Sequence, residues 1–154
     1  MAVTVIQGHP LVDGVASGTA LVTDTPLSFW GGVDPEHGTV IDVRHPLDGE
    51  SIAGRILVLP SGRGSCSASG VILESISNGT GPAGIVVSEV DPIIGLGCIL
   101  GEELVGRVVP VVLVSPEERA SLTEGSTISI AIGGALEIEE GSGIETPEPS
   151  DESS

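Results

Sequence analysis

Lysine is absent from this 154-residue sequence. A phosphate-binding Walker loop needs a Lys before its Ser or Thr, so that class of nucleotide site is excluded. No serine stands in a Gly-x-Ser-x-Gly string either, which removes the hydrolase nucleophile elbow. Aromatic residues make up 1%, one Phe and one Trp with no Tyr. Packing therefore falls to Val, Ile, Leu and Ala, within an apolar fraction of 40%, and favours short strands with tight turns. The two cysteines, Cys66 and Cys98, are too few for a disulfide framework. They are also too few to hold an iron–sulfur cluster or zinc unaided, so no cofactor or metal is expected on this chain alone. Five basic residues face 22 acidic ones, a formal charge of −17. Nucleic acid and anionic membrane bind through cationic patches, and neither is expected as a partner. The N-terminus has no basic region ahead of a long apolar run, and no segment is long enough to span a bilayer. A reducing cytoplasm is the simplest location.

What is present is organised around residues 56–77. Ile56 to Leu59 is an apolar run stopped by Pro60, and it reads as a buried strand. Ala68 to Ser77 carries Val71, Ile72 and Ile76 at helical spacing. Between them lies Ser61-Gly62-Arg63-Gly64-Ser65-Cys66-Ser67, a Gly/Ser loop with a single cation. A strand, a glycine loop and a helix start turn free N–H groups and the positive end of a helix dipole toward one point. Such a point suits an anion, or a hydroxyl whose oxygen must carry negative charge. Ser65 or Ser67 can cap the helix, and either can be that hydroxyl. The same string also suits an ordinary serine-capped turn with no ligand.

The flanking segments read as follows. Residues 3–24 hold two or three strands between glycine turns. Phe29 and Trp30 are adjacent and followed by two glycines, so at most one ring enters the core. The other forms a pocket wall or an interface. Val40 to Val43 is a short strand interrupted by Asp42, and His45 is either a substrate contact or a satisfied structural histidine. Asn78-Gly79 stops the first helix. Ile85 to Ser88 is a buried strand, and Asp91-Pro92 opens a capped helix running to about Leu104. Val108 to Val114 is a strand broken by Pro110, hence near an edge. Ser115-Pro116 caps a short helix, and Thr127–Ile132 with Ala135–Ile138 forms a hairpin. The expected fold is α/β: a barrel-like β layer made by both chain ends, and a second layer of strand, glycine loop and helix. Residues 1–140 form one domain. From Glu137 on there are seven acids and no base, and residues 141–154 read as an acidic, disordered, solvating tail.

Three motifs carry a family resemblance: Pro26-Leu27-Ser28-Phe29-Trp30-Gly31-Gly32-Val33-Asp34-Pro35, His45-Pro46-Leu47 and Pro60-Ser61-Gly62-Arg63-Gly64-Ser65. Together they resemble the small subunit, or swivel domain, of aconitase X, from about Gly8 to Val114. The resemblance implies a swivelling β/β/α domain packed on a large subunit that holds an iron–sulfur or iron centre. It implies dehydration of a small hydroxy acid, with Ser65 as the proton acceptor and Gly62, Arg63, Gly64, Ser67, Phe29 and Trp30 around the substrate. The family's substrates include cis-3-hydroxy-L-proline and mevalonate 5-phosphate. The string Gly64 to Ser69 resembles the hydroxyproline type, whereas a separate small chain resembles the mevalonate type. The charge favours the first, since a phosphate adds negative charge to a chain with only five arginines. The competing reading is a non-catalytic module, with the loop holding an anion and the Phe29–Trp30 pair docking a protein.

Overall fold

A computed structural model describes residues 3–64 and 67–139. Ser65, Cys66 and residues 141–154, on which the base and the acidic tail were placed, lie outside the described residues.

Ten strands and three helices follow the punctuation of the sequence. The strands are β1 (Val3–Gln7), β2 (His9–Val12), β3 (Ala16–Val22), β4 (Val33–Asp34), β5 (Thr39–Val40), β6 (Ile56–Leu59), β7 (Gly84–Val87), β8 (Val111–Leu113), β9 (Thr127–Ile130) and β10 (Ala135–Glu139). The helices are α1 (Ser67–Asn78), α2 (Pro92–Leu100) and α3 (Pro116–Ala120), with a π-helical turn over Gly101–Val105 continuing α2. Eight strands form one mixed sheet in the order β1-β10-β9-β3-β6-β7-β8-β2. Its two ends, β1 and β2, are separated in sequence by Gly8 alone, so the sheet must curl to bring its edges together. This is the barrel-like layer expected from the two chain ends. β3 joins the two halves: residues 16–19 pair antiparallel with β9, and residues 20–22 pair parallel with β6.

The two-residue period of the central strands sorts the core into two layers. Ile56, Val58, Val86 and Val112 point into the β layer with Ile128, Ile130, Leu136 and Ile138. Their neighbours Leu57, Leu59, Ile85, Val87 and Val111 point the other way, against Ile72, Ile76, Ile94 and Cys98 of the helices. Strands buried on both faces read as continuous apolar runs, which is why Ile56–Leu59 and Gly84–Val87 have no polar position. The result is a β/β/α stack.

β3, β6, β7 and β8 run parallel, so the loops that leave their carboxyl ends share one rim. In open parallel sheets that rim is where ligands bind. α3 ties part of it: Arg119 donates from Nε to Ser88 Oγ at 3.0 Å and from Nη1 to the Thr23 carbonyl at 3.3 Å.

Two expectations need correction. The strand over Val40 to Val43 ends at Val40, because the Asp42 carboxylate accepts from Arg44 N at 3.0 Å and bends the chain. Phe29 and Trp30 lie on a turn rather than a strand, although one ring is inside and the other outside as expected. Pro110 falls just before β8, whose ladder keeps its hydrogen bonds; β8 is next to the edge strand β2.

Candidate functional site

The loop after β6 is built from backbone contacts. Leu27 N donates to the Ser61 carbonyl at 3.3 Å and Arg63 N to the Leu27 carbonyl at 3.1 Å, which lays Gly62 beside Leu27 as a parallel bridge. Gly62 N donates to Asp91 Oδ2 at 2.7 Å. A β-carbon on Gly62 would stand 3.0 Å from that oxygen and 3.2 Å from Ile94 Cδ1, so the close approach calls for glycine. Gly64 has φ +113°, a conformation that L side chains rarely adopt, and the chain turns there toward α1.

These contacts open a cavity of roughly 150 Å³ lined by Gly62, Arg63, Gly64, Phe29, Asp91 and Ile94, among others. Of the residues placed around the substrate from sequence, Gly62, Arg63, Gly64 and Phe29 come together here. Phe29 is buried and forms the floor, while Arg63 is exposed at the rim. Its guanidinium makes no ion pair with any described residue, unlike those of Arg55 and Arg119. Ser67 is the exposed first residue of α1. Trp30 is not in the lining; it is 62% exposed on the adjacent turn. Ser28 connects that turn to the loop, donating from Oγ to the Trp30 carbonyl at 3.0 Å while lying against Gly64. Ser65 lies outside the described residues.

His45 is settled as structural. It is buried, its Nδ1 accepts from Leu47 N at 3.0 Å, and its Nε2 donates to the Thr25 carbonyl at 3.2 Å. One ring nitrogen closes the histidine's own turn, and the other holds the loop that leads into Pro26 and Leu27.

Sequence reasoning missed the wall opposite Phe29. Asp91, Ile93 and Ile94 line the cavity, and Asp91 had been read only as a helix cap. It does cap α2, Oδ1 accepting from Ile93 N at 3.0 Å and Ile94 N at 3.1 Å. Its second oxygen serves a residue 29 positions away, which no local pattern could announce. Ser69 Oγ donates to the Ile93 carbonyl at 2.8 Å and draws the starts of α1 and α2 together.

The remaining candidates are weaker. A larger cavity of about 230 Å³ lies beside Ile76, Gly79, Pro82 and Val108, but its one cation, Arg107, donates to the Ile76 carbonyl at 2.8 Å and closes the end of α1. Asp34, Glu36 and His37 offer donor atoms within 4.8 Å of one another on the turn between β4 and β5. This is an exposed acidic turn with no second feature pointing to an ion. His37 Nδ1 lies 2.7 Å from Asp34 Oδ2, which holds the Asp34 carboxyl below, and the His37 imidazole above, its ordinary value. Cys98 is fully buried, and burial pushes its thiol up to about 12, so it is an inert core residue. Two cysteines in the chain, of which the described Cys98 is buried in the core, do not make the ligand set of an iron–sulfur cluster. No helix among the described residues is long and apolar enough to cross a membrane.

Comparisons with known proteins bear on the family and the fold. A family model described as the aconitase X swivel domain matches residues 5–138. A cis-3-hydroxy-L-proline dehydratase of Pseudomonas aeruginosa is 54% identical over 106 residues, covering 69% of this chain and 18% of that protein. The phosphomevalonate dehydratase small subunit of Methanopyrus kandleri is 41% identical over 143 residues, covering 90% of this chain and 100% of that subunit. The crystal structure of Thermococcus kodakaraensis aconitase X in its holo-form superposes with a TM-score of 0.80 at 36% identity, over 89% of this chain and 99% of that one. The chain spans 24% and 18% of the lengths of the first two curated relatives it matches, both cis-3-hydroxy-L-proline dehydratases.

Proposed function

The chain belongs to the aconitase X swivel-domain family, and on that premise we propose that it is the small subunit of a dehydratase completed by a larger, iron-bearing partner. The observation that carries the proposal is the loop at Gly62–Gly64. It opens onto a cavity at the carboxyl rim of the parallel strands, with a cation, Arg63, at its edge that pairs with no acid among the described residues.

Elimination of water from a hydroxy acid breaks a C–H and a C–O bond. The proton goes to a base and the hydroxide leaves with the help of an electrophile, which this reading assigns to the partner. Ser65 is the base. A serine oxygen serves as one only if its anionic form is stabilised, and two features are at hand: the start of α1 and the Arg63 guanidinium. Arg63 holds the substrate carboxylate or steadies the Ser65 oxygen. Phe29 walls the substrate, and Trp30 faces the substrate or the partner subunit.

The preferred substrate is cis-3-hydroxy-L-proline. The 54% identity to the Pseudomonas enzyme supports it, as does the shortage of cations for a phosphate. Mevalonate 5-phosphate is the second reading, favoured by the end-to-end match with the Methanopyrus small subunit.

The test is turnover of both compounds by the chain reconstituted with its large subunit. Ser65→Ala should leave assembly intact, cost about 1 kcal/mol of stability if Ser65 also caps α1, and lower turnover by about 10²–10⁴. Ser67→Ala is the control and should be much milder. Near-normal turnover of Ser65→Ala would remove the base assignment, and a dead Ser67→Ala would move it by two residues. Turnover of mevalonate 5-phosphate alone would reverse the substrate preference.

A further inference from the structure

We infer that Asp91 is a positioning residue, whose carboxylate fixes the Gly62–Gly64 loop to the start of α2 and so sets the geometry of the cavity. As an account of activity this rests on the function proposed above; as an account of the loop it stands on the contacts themselves. Three backbone N–H groups converge on one half-buried carboxylate: Ile93 and Ile94 on Oδ1, and Gly62 on Oδ2 at 2.7 Å. A helix cap needs only one oxygen. The second oxygen binds the residue directly before Arg63, and the short distance is that of a charge-assisted bond. Without it Gly62 keeps, among the described residues, its bridge to Leu27 and the Ser61 Oγ bond to its carbonyl, one beside Leu27 and the other within its own stretch of chain. The face toward α2, where Asp91 and Ile94 form the cavity wall, would be untethered. The carboxylate works through the loop.

Asparagine separates the two jobs. Its amide oxygen caps α2 as well as aspartate does, but its NH₂ group then faces the Gly62 N–H, donor against donor. Asp91→Ser has one short oxygen, enough for the cap alone. Amide hydrogen exchange of the full-length chain by NMR reads the tether directly. In both variants Gly62 should exchange about tenfold faster or more, the change expected for loss of one charged hydrogen bond, while Ile93 and Ile94 stay protected. In the assembled two-subunit enzyme, kcat should fall about tenfold or more with little change in KM, because the loop that presents the base is displaced while the pocket remains.

A structural cap alone predicts no split, with Ile93 and Ile94 still protected and Gly62 exchanging as in the wild type. Unchanged Gly62 exchange in either folded variant overturns the tether. A freed Gly62 with unchanged kcat in an active enzyme overturns the positioning role. If the wild-type pair turns over neither hydroxy acid, the proposed function fails, and the exchange comparison still decides whether Asp91 holds the loop.

Discussion

α2 and α3 begin alike in sequence and differently in space. Each is opened by a polar residue followed by proline, Asp91-Pro92 and Ser115-Pro116, and in each the polar side chain caps the helix. At α3 the contacts close on themselves. Ser115 Oγ accepts from Glu118 N at 3.0 Å, and Glu118 Oε1 accepts from Ser115 N at 3.0 Å, a reciprocal box whose two bonds both stay within the helix start. At α2 the cap has an oxygen to spare, and it reaches the glycine loop. The lesson is one of valence. The Ser115 hydroxyl brings one oxygen to its own helix, whereas the Asp91 carboxylate brings two and uses one for its helix and the other for a neighbouring loop.

If α2's cap serves a site and α3's serves only the fold, the cations near the two should differ in the same way. Arg119 of α3 is largely buried and bonded to Ser88, Thr23 and Asp24, so it belongs to the scaffold. Arg63, on the loop that α2 holds, is exposed and makes no ion pair with any described residue. The largest expected effect is therefore on turnover. Arg63→Lys keeps the charge but loses the planar fork, and should reduce kcat/KM about tenfold or more. Its melting temperature should stay that of the wild type, since the guanidinium makes no ion pair with any described residue. Steady-state kinetics of the assembled enzyme beside a thermal melt check both parts. Full activity would make Arg63 a surface residue and blur the contrast.

This contrast also marks where the sequence was legible. The caps of α2 and α3, the buried strands β6 and β7 and the β9–β10 hairpin were readable because each is decided within a few residues. The loop at Gly62–Gly64 was readable for a related reason, since glycines around a lone cation between a strand and a helix are a local string. The opposite wall of the cavity was not. Asp91 and Ile94 reach it only because β6 and β7 pair in parallel and Ser69 draws α1 onto α2, all of which are long-range facts. That only one ring of the Phe29–Trp30 pair enters the core was legible, though from an assumed strand rather than the actual turn; which ring it is was not, and the cavity wall turns out to be the buried Phe29 rather than the outer ring. His45 left two readings open, because a buried imidazole with both nitrogens satisfied cannot be told from a ligand until its partners are placed.

A smaller effect sharpens the α3 side. Ser115→Ala removes the acceptor of Glu118 N and half of the capping box, which should cost about 1 kcal/mol. Turnover in the assembled enzyme should not change, because no residue of α3 lines the cavity. Denaturant unfolding of the variant against the wild type measures the first. A loss of turnover matching that of an Asp91 variant would show that the rim is one unit and the two helix starts are not separable.

The smallest effect comes from a third carboxylate with two partners, this one in solvent. Asp34 Oδ1 accepts from Glu36 N at 2.9 Å, and Oδ2 meets His37 Nδ1 at 2.7 Å. The division of labour copies that of Asp91, but both partners lie in the same turn and His37 is exposed. Hydrogen bonding with Asp34 raises the His37 pKa above 6.5, and hydrogen bonding with His37 lowers that of Asp34 below 3.8. The signs give opposite limits. The histidine contribution is complete below its unfolded value of 6.5 and is lost as pH rises through the raised folded value. The aspartate contribution is complete above 3.8 and is lost as pH falls through the depressed folded value. The turn is therefore tightest between those limits, and by less than the loss of the Ser115 cap, since solvent screens an exposed pair. NMR titration of the His37 ring should place its midpoint above 6.5 in the wild type. In Asp34→Asn, where the amide oxygen can still accept from Glu36 N, the midpoint should fall back toward that value. A His37 midpoint that Asp34→Asn leaves unmoved would mean that the pair is not formed in solution, and that a carboxylate holds a second partner firmly only where, as at Asp91, it is half-buried and the partner is a backbone N–H.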